Sequence, residues 1–198
     1  MTAQKQNIYL VGMPGAGKST VGKALARQLG LTFVDADQML IEQVGASIAT
    51  IFEFEGEAGF RQREVKVIAE LCQRQAIVLA TGGGAILRDE NRVALRENGI
   101  VIYLHANLDQ LAQRTRYDAR RPLLNLAVDP RETLKTLLIV REPLYRSVAD
   151  LVVETGRQSI GKMVQHVVQA LGEKQLRPPE DAQSPNHDIA NSLPGAFQ

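Results

Sequence analysis

The chain has 198 residues, of which 44% are hydrophobic and 23% are charged. These values are ordinary for one soluble globular domain, so they argue against wholesale disorder, a fibrous repeat or two domains of usual size. The formal net charge of +1 gives no global electrostatic reason to expect a nucleic acid or an anionic membrane as a partner.

Two further features concern the compartment. The sequence has no run of about 18 apolar residues, and no apolar segment typical of a signal peptide precedes the first strand-like residues. We therefore expect a cytoplasmic protein that does not enter a membrane. The single cysteine, Cys72, cannot form an internal disulfide and follows an apolar helical pattern, so we expect a reduced thiol near the core.

Short apolar runs alternate with helical patterns along the chain. Five runs are predicted to be buried strands: residues 8–11, 31–34, 77–80, 100–104 and 151–153. The helix between the first two is predicted to end at Gly30. This alternation predicts an α/β fold of three layers, in which helices flank both faces of a central parallel sheet.

Two later helices have recognisable starts. Asp129 is a typical N-cap residue, and Pro130 and Glu132 suit the first and third helical positions after it. Ser159 can cap the last helix in the same way. Pro143 is expected to break or kink the helix that begins near Asp129, because proline lacks a backbone N–H.

The composition changes near the C-terminus. Residues 177–198 are rich in proline and polar residues and have no apolar periodicity. We therefore predict a folded domain over residues 1–176 and a disordered tail over residues 177–198. A short recognition motif in the tail is the alternative.

The strongest motif is GMPGAGKST at residues 12–20, here called the phosphate loop. It matches GxxxxGK[ST] and lies between a predicted strand and a predicted helix. Its backbone N–H groups and the following helix N-terminus suit a bound phosphate. We expect Lys18 to contact the β- and γ-phosphates of ATP and the Ser19 hydroxyl to bind Mg²⁺. The predicted nucleotide-binding residues of the loop are Gly15, Ala16, Gly17, Lys18, Ser19 and Thr20. A glycine-rich turn with an exposed lysine is the alternative.

Two acids, Asp35 and Asp37, follow the second predicted strand. Ligands of open parallel sheets gather at the carboxyl ends of the strands, so both acids are expected near the site. Strand alternation predicts that their side chains point the same way. One carboxylate could then support Mg²⁺ through water while the other accepts a hydrogen bond from an alcohol. A solvated loop is the competing interpretation.

Other segments suggest an anionic acceptor. Arg61 offers a planar fork that suits a carboxylate, and Arg141 is a second candidate for binding an anion. The third predicted strand leads to Gly82, Gly83 and Gly84, here called the glycine turn, where a backbone can approach a ligand closely. The alternatives are a surface salt bridge for Arg61, a surface charge for Arg141 and a loop without a ligand for the glycines.

Four arginines fall within residues 114–124: Arg114, Arg116, Arg120 and Arg121. In a kinase, such a stretch is typical of a mobile lid that closes over the phosphates and excludes water. We predict this lid at about residues 114–127. A nucleic-acid-binding patch is the competing interpretation, but no aromatic platform accompanies the arginines.

Together these segments resemble the shikimate kinase family. GMPGAGKST, DAD, GEAGFRQRE, ATGGG, RRPLL and REPLYRSVAD occur in that family's order and approximate spacing, over about residues 7–171. The resemblance implies a P-loop fold similar to that of nucleoside monophosphate kinases. It also implies a monomer that transfers the ATP γ-phosphate to the 3-hydroxyl of shikimate, a step in aromatic amino-acid biosynthesis.

The resemblance further implies roles for individual residues. Asp37, Arg61, Arg141 and the glycine turn match positions that hold shikimate. The two arginines would bind its carboxylate, and Asp37 would orient or deprotonate the attacking hydroxyl.

On the nucleotide side, Lys18 and Arg121 match phosphate-contacting positions, and Arg114 matches the position that packs on adenine. Arg157 corresponds loosely to a nucleotide contact. The implied catalytic residues are Lys18, Asp37 and Arg121.

Ser19 and Asp35 match the magnesium positions of the family. The strand before the glycine turn carries no acid of the Walker B kind, which moves the metal role to Asp35. Three alternatives are another small-metabolite kinase such as a gluconate kinase, a non-catalytic ATP-binding module and a nucleic-acid-binding ATPase. Asp37, Arg61 and the glycine turn argue against the non-catalytic module.

Overall fold

The computed structural model describes residues 6–116, 129–156 and 158–176. Five strands form one sheet in the order β2-β3-β1-β4-β5, and every neighbouring pair is parallel. The strands are Asn7–Val11 (β1), Thr32–Asp35 (β2), Ile77–Ala80 (β3), Gly99–His105 (β4) and Leu151–Glu154 (β5). All five predicted strands are confirmed, with small shifts at their ends.

Helices cover both faces of the sheet. Within the described ranges they are Lys18–Leu29 (α1), Ala36–Val44 (α2), Ile48–Cys72 (α3), Asp89–Asn98 (α4), Leu108–Thr115 (α5), Pro130–Val148 (α6) and Ile160–Leu176 (α7). Helices α1 and α7 pack together on one face, and α3, α4 and α6 lie on the other. The predicted three-layer α/β fold is therefore confirmed. None of these helices is long and apolar enough to cross a membrane.

The sheet brings the functional segments to one edge. Every residue of β1 and β3 is buried, as expected for central parallel strands covered on both faces. In the register, Leu10 pairs with Ala80, and Asp35 pairs with the same Ala80 from the other side. Strands β1, β2 and β3 therefore end together, and the segments that follow them meet at their carboxyl ends.

The start of α6 follows the sequence prediction, but its course does not. Asp129 accepts hydrogen bonds from the backbone N–H groups of Arg131 and Glu132 at 2.9 and 3.2 Å, which confirms the predicted cap. The predicted break at Pro143 is wrong, because the helix continues through it. Proline has no backbone N–H to donate to the carbonyl of Ile139, a residue that is 66% exposed.

Other local features position the site. Helix α3 is kinked at Gly56, whose φ of 66° and ψ of −176° are not helical. A short 3₁₀ helix, Ala85–Leu87, follows the glycine turn. The thiol of Cys72 is buried, as predicted.

Candidate active site

The phosphate loop connects β1 to α1 by a backbone path that needs glycine. Gly12, Gly15 and Gly17 have φ values of 144°, 82° and 95°, a region that side chains with a Cβ rarely adopt. A Cβ at Gly15 would also lie 2.8 Å from Thr115 at the end of α5. The loop is therefore packed against its surroundings, and Ala16 within it is buried.

Lys18 lies inside the loop. The residue is only 8% exposed, and its Nζ donates hydrogen bonds to the carbonyl oxygens of Gly12 at 2.7 Å and Met13 at 3.0 Å. The ammonium is thus held at the loop, where a bound phosphate would meet it. The alternative of an exposed lysine on a glycine-rich turn is wrong.

Ser19 and Asp35 form a pair beside the lysine. The Ser19 hydroxyl donates to Oδ2 of Asp35 at 2.7 Å, while Oδ1 accepts from the backbone N–H groups of Asp37 and Gln38 at 3.1 and 3.4 Å. Asp35 therefore caps α2 and faces Ser19 at the same time. Thr20 follows in the first turn of α1 and is exposed.

The Ser19–Asp35 pair suits Mg²⁺ in its chemistry, because this ion prefers oxygen ligands and keeps several waters or phosphate oxygens. Within the described ranges, no group of three or more His, Cys, Asp or Glu side chains could hold a metal by itself. The residues present therefore fit an ion that shares its coordination with nucleotide phosphates, rather than a site made of protein ligands alone.

The predicted parallel orientation of the two acids is wrong. Asp35 ends β2, but the chain turns at once into α2, so Asp37 lies in the first helical turn instead of continuing the strand. A Cβ at Gly82 would lie 2.8 Å from Oδ1 of Asp37 and 2.6 Å from Oε1 of Glu64. The Asp37 carboxylate therefore borders the glycine turn, whereas that of Asp35 faces Ser19.

Glu64 is a site residue that the sequence reasoning missed. It is 2% exposed, and its Oε2 accepts a hydrogen bond from Nη1 of Arg61 at 2.7 Å. Burial raises the pKa of the Glu64 carboxyl above its ordinary value, Arg61 opposes this shift, and the nearby Asp37 adds to it. Oε1 has no hydrogen-bond partner among the described residues. The position of Glu64 three residues after Arg61 in a helix was an available signal.

Arg61 is a buried cation that lies against the glycine turn. Its guanidinium also pairs with Glu57 at 3.1 Å, and a Cβ placed on Gly84 would overlap it. Burial lowers the pKa of Arg61, but the carboxylates of Glu64 and Glu57 more than offset this effect. The surface ion pair considered for Arg61 is wrong, because its partner Glu64 is also buried.

Arg141 reaches the glycine turn from α6. It is 4% exposed, and its Nη1 donates a hydrogen bond to the carbonyl oxygen of Gly83 at 3.2 Å. The Tyr145 hydroxyl, one turn further along α6, donates to the same oxygen. The alternative of a surface charge at Arg141 is therefore wrong. We call Asp37, Arg61, Glu64, Arg141 and the glycine turn the acceptor basin.

The phosphate loop and the acceptor basin are in contact. A Cβ on Gly83 would lie 2.7 Å from Cδ of Pro14 and 3.2 Å from its backbone nitrogen. A ligand in the basin is therefore next to a ligand on the loop. Direct transfer between two bound substrates requires this arrangement.

Arg114 connects the phosphate loop to the segment after β5. It is exposed at the end of α5, and it donates to the carbonyl oxygen of Thr155 at 3.0 Å and to that of Gly15 at 3.4 Å. Arg121 and Arg157 lie outside the described residues, as do most of the predicted lid and the tail at residues 177–198.

The fold and the site define a class of protein. A parallel sheet leads into a phosphate loop with a buried lysine, and a serine–aspartate pair lies beside it. The adjacent basin holds two buried arginines and an aspartate that could receive an alcohol. These features are those of a P-loop phosphotransferase with a small anionic acceptor.

Comparison with known proteins narrows this class. The shikimate kinase family model matches residues 14–172. A shikimate kinase of Burkholderia lata is 55% identical over 165 residues, which are 83% of this chain and 89% of the relative. A shikimate kinase from Acinetobacter baumannii, solved in complex with shikimate, is 46% identical with a TM-score of 0.85, and the match covers 87% of this chain and 96% of that one.

The chain belongs to the shikimate kinase family. It is an ATP-dependent kinase that phosphorylates a hydroxyl group of shikimate. The resemblance noted in the sequence is thereby confirmed. The gluconate kinase and the non-catalytic ATP-binding module, considered as alternatives, are set aside.

Proposed function

We propose that this enzyme transfers the γ-phosphate of ATP to the 3-hydroxyl of shikimate, with the acceptor held in the basin and the nucleotide on the phosphate loop. The observation that carries this proposal is the convergence of Arg61 and Arg141 on the glycine turn, in contact with the loop. An acceptor bound there has its hydroxyl groups close to the transferred phosphate.

The two arginines would bind the shikimate carboxylate. Both are buried, and a guanidinium can donate two parallel hydrogen bonds to a carboxylate. Arg141 donates to the carbonyl oxygen of Gly83, which is a neutral group, so its charge can also meet a carboxylate. An added anion would therefore stabilise the basin electrostatically.

Asp37 would receive the attacking hydroxyl. Its carboxylate borders Gly82 at the floor of the basin, where it can accept a hydrogen bond from an alcohol. The hydroxyl proton would pass to this carboxylate as the new oxygen–phosphorus bond forms and the bond from the γ-phosphorus to the bridging oxygen of ADP breaks. Asp37 would contribute mainly by holding the hydroxyl in line with the phosphate, since phosphoryl transfer depends mainly on positioning and on charge.

On the nucleotide side, Lys18 would contact the β- and γ-phosphates, and Ser19 and Asp35 would hold Mg²⁺, Asp35 through water. The ion, when bound, neutralises charge on the phosphate oxygens. Arg114 is proposed to pack on adenine, which its place between the loop and Thr155 supports. Arg121 and Arg157 are retained as proposed phosphate and nucleotide contacts.

The test is release of ADP with ATP, magnesium and shikimate, beside gluconate and no-acceptor controls. Asp37→Asn should lower the shikimate-dependent kcat by about 100-fold or more, the scale of losing a positioned acid–base group. Asp89→Asn, at an exposed position of α4, is the matched control and should keep near-parental activity. Unchanged turnover in Asp37→Asn would rule out its role, and nucleotide binding without shikimate-dependent turnover would rule out the acceptor.

We also propose that the enzyme works in the cytoplasm. We further propose that it is a monomer, since one chain supplies the residues of both sites. Sedimentation should then give one species near the chain mass of 21.7 kDa. A dimer that persists on dilution would contradict this proposal. A gel shift with oligonucleotides would test the further proposal that the enzyme binds no nucleic acid.

A further inference from the structure

We propose that Tyr145 is a positioning residue for the acceptor. Its hydroxyl holds the carbonyl of Gly83, and thereby sets both the glycine turn and the guanidinium of Arg141 for shikimate. This inference rests on the proposed use of the basin for shikimate and assigns a role to a residue that would not itself touch the substrate.

Tyr145 is held firmly by its surroundings. It is buried in α6, and its ring stacks on that of Tyr103 with centroids 5.0 Å apart and an angle of 21° between the planes. The hydroxyl oxygen lies 3.9 Å from the sulfur of Met13 in the phosphate loop. Burial raises the pKa of the Tyr145 phenol, so the group stays a protonated donor at any ordinary pH. A fixed donor therefore faces the Gly83 carbonyl.

The Gly83 carbonyl, which accepts this hydrogen bond, belongs to a peptide whose orientation is not restricted by a side chain on either of its own residues. A peptide between two glycines, here Gly83 and Gly84, has no Cβ on either side to restrict its orientation. The peptide bonds of the described residues are trans, so the N–H of Gly84 points opposite to the C=O of Gly83. Anchoring the carbonyl to Tyr145 thus sets the direction of the next backbone donor in the turn.

The same carbonyl positions Arg141. Nη1 of Arg141 donates to it at 3.2 Å, so the oxygen accepts from two groups that lie one helical turn apart. Without the Tyr145 hydroxyl, the Gly83 peptide could rotate and Arg141 would lose a fixed partner. The direction of the Gly84 N–H and the position of Arg141 therefore both depend on one phenol oxygen.

Tyr103 is a matched control within the same ring stack. Its hydroxyl is also buried, but it has no hydrogen-bond partner among the described residues. Burial raises the pKa of Tyr103 to about 12. Tyr103→Phe and Tyr145→Phe each remove one buried oxygen and keep the two stacked rings, but only the second removes the contact with Gly83.

The experiment compares the parent, Tyr145→Phe and Tyr103→Phe by steady-state kinetics well below their melting temperatures. Tyr145→Phe should raise the KM for shikimate about tenfold, because a buried carbonyl loses a donor, while kcat and the KM for ATP change less than about threefold. Tyr103→Phe should leave the KM for shikimate near the parental value. Melting temperatures show whether stability alone explains the result.

A double-mutant cycle with Arg141→Lys provides the second measurement. If Tyr145 acts through Gly83 and Arg141, the effects of the two substitutions on shikimate affinity will be smaller together than their sum. Equal KM values in Tyr145→Phe and Tyr103→Phe, or strictly additive effects, would overturn the inference. An inactive parent would instead overturn the proposed function, so the two failures are distinguishable.

Discussion

The phosphate loop and the acceptor basin touch each other but are built in different ways. The loop is one continuous segment whose ligand-binding groups are backbone N–H groups, one lysine and one hydroxyl. The basin combines side chains from α2, α3 and α6 with the glycine turn after β3. Its two arginines and Glu64 are buried, so each charge must be compensated by another part of the fold.

This difference separates the expected effects of mutation. If the loop acts on charge that develops during phosphate transfer, as proposed, damage there should appear mainly in kcat. The basin is proposed to bind the acceptor before and during the reaction, so damage there should appear mainly in the KM for shikimate. Asp37 is the exception within the basin, because its proposed role is to meet the reacting hydroxyl.

Lys18→Met should lower activity more than any other substitution proposed here, and it should affect the loop without affecting the basin. Loss of the ammonium should lower kcat by about 1000-fold, since a positioned charge at the phosphates is removed. The affinity for shikimate, measured by calorimetry, should remain near the parental value. Lys23→Met is the control on the same helix, where the exposed ammonium lies 5.7 Å from the ring of Phe33. A loss in Lys18→Met below tenfold would contradict the assignment.

Gly83→Ala should affect both regions at once, because Gly83 lies where the phosphate loop and the acceptor basin meet. Its new methyl group would lie 2.7 Å from Cδ of Pro14, so the loop, the turn or both must shift. We expect the KM values for ATP and shikimate to rise together, each by about tenfold.

Gly161→Ala in α7 is the control for this substitution, since no atom lies within 4 Å of the added methyl. That variant should keep both KM values and gain roughly 0.5 kcal/mol of stability from reduced freedom of the unfolded chain. If Gly83→Ala changed only one KM value, the loop and the turn would be independent.

Glu64→Gln should give a smaller effect, seen in the pH dependence of stability. Because the folded pKa of Glu64 is raised, the folded protein keeps a proton that the unfolded chain loses between the ordinary glutamate pKa and the raised one. The contribution of this group to the free energy of unfolding therefore decreases as pH rises through that window. The variant lacks this titration, so its stability relative to the parent should increase with pH across the window.

Urea unfolding at a series of pH values measures this difference, with Glu97→Gln at an exposed position as the surface control. A difference between Glu64→Gln and the parent that did not change with pH would show that the buried carboxyl keeps an ordinary titration. The basin would then compensate its charges more fully than its contacts indicate.

Much of the fold was predictable because its signals are local. The strands read as short apolar runs, since parallel strands covered on both faces are buried throughout. The cap at Asp129 was readable for the same reason. The break predicted at Pro143 was wrong because a helix can continue past one missing hydrogen bond when the rest of it packs against the fold.

The sequence predicted the candidate active site less completely than the fold. Sequence reasoning named Arg61, Arg141 and Asp37 but assigned Asp37 a strand-like orientation, because Asp35 caps a helix that begins at once. Glu64 was missed, since a glutamate in a helix is usually solvated and only packing buries it. Arg121 and Arg157 stay predictions.

By itself, the sequence determined the order of strands and helices, the phosphate loop and the family. These depend on residue type and spacing over a few neighbouring positions, where backbone geometry leaves few choices. Only the tertiary structure decided which charges are buried, that two arginines and two acids meet at the glycine turn, and that one tyrosine hydroxyl holds the turn while its stacked neighbour does not. Burial and distance between remote segments arise from packing, and packing is a property of the whole chain.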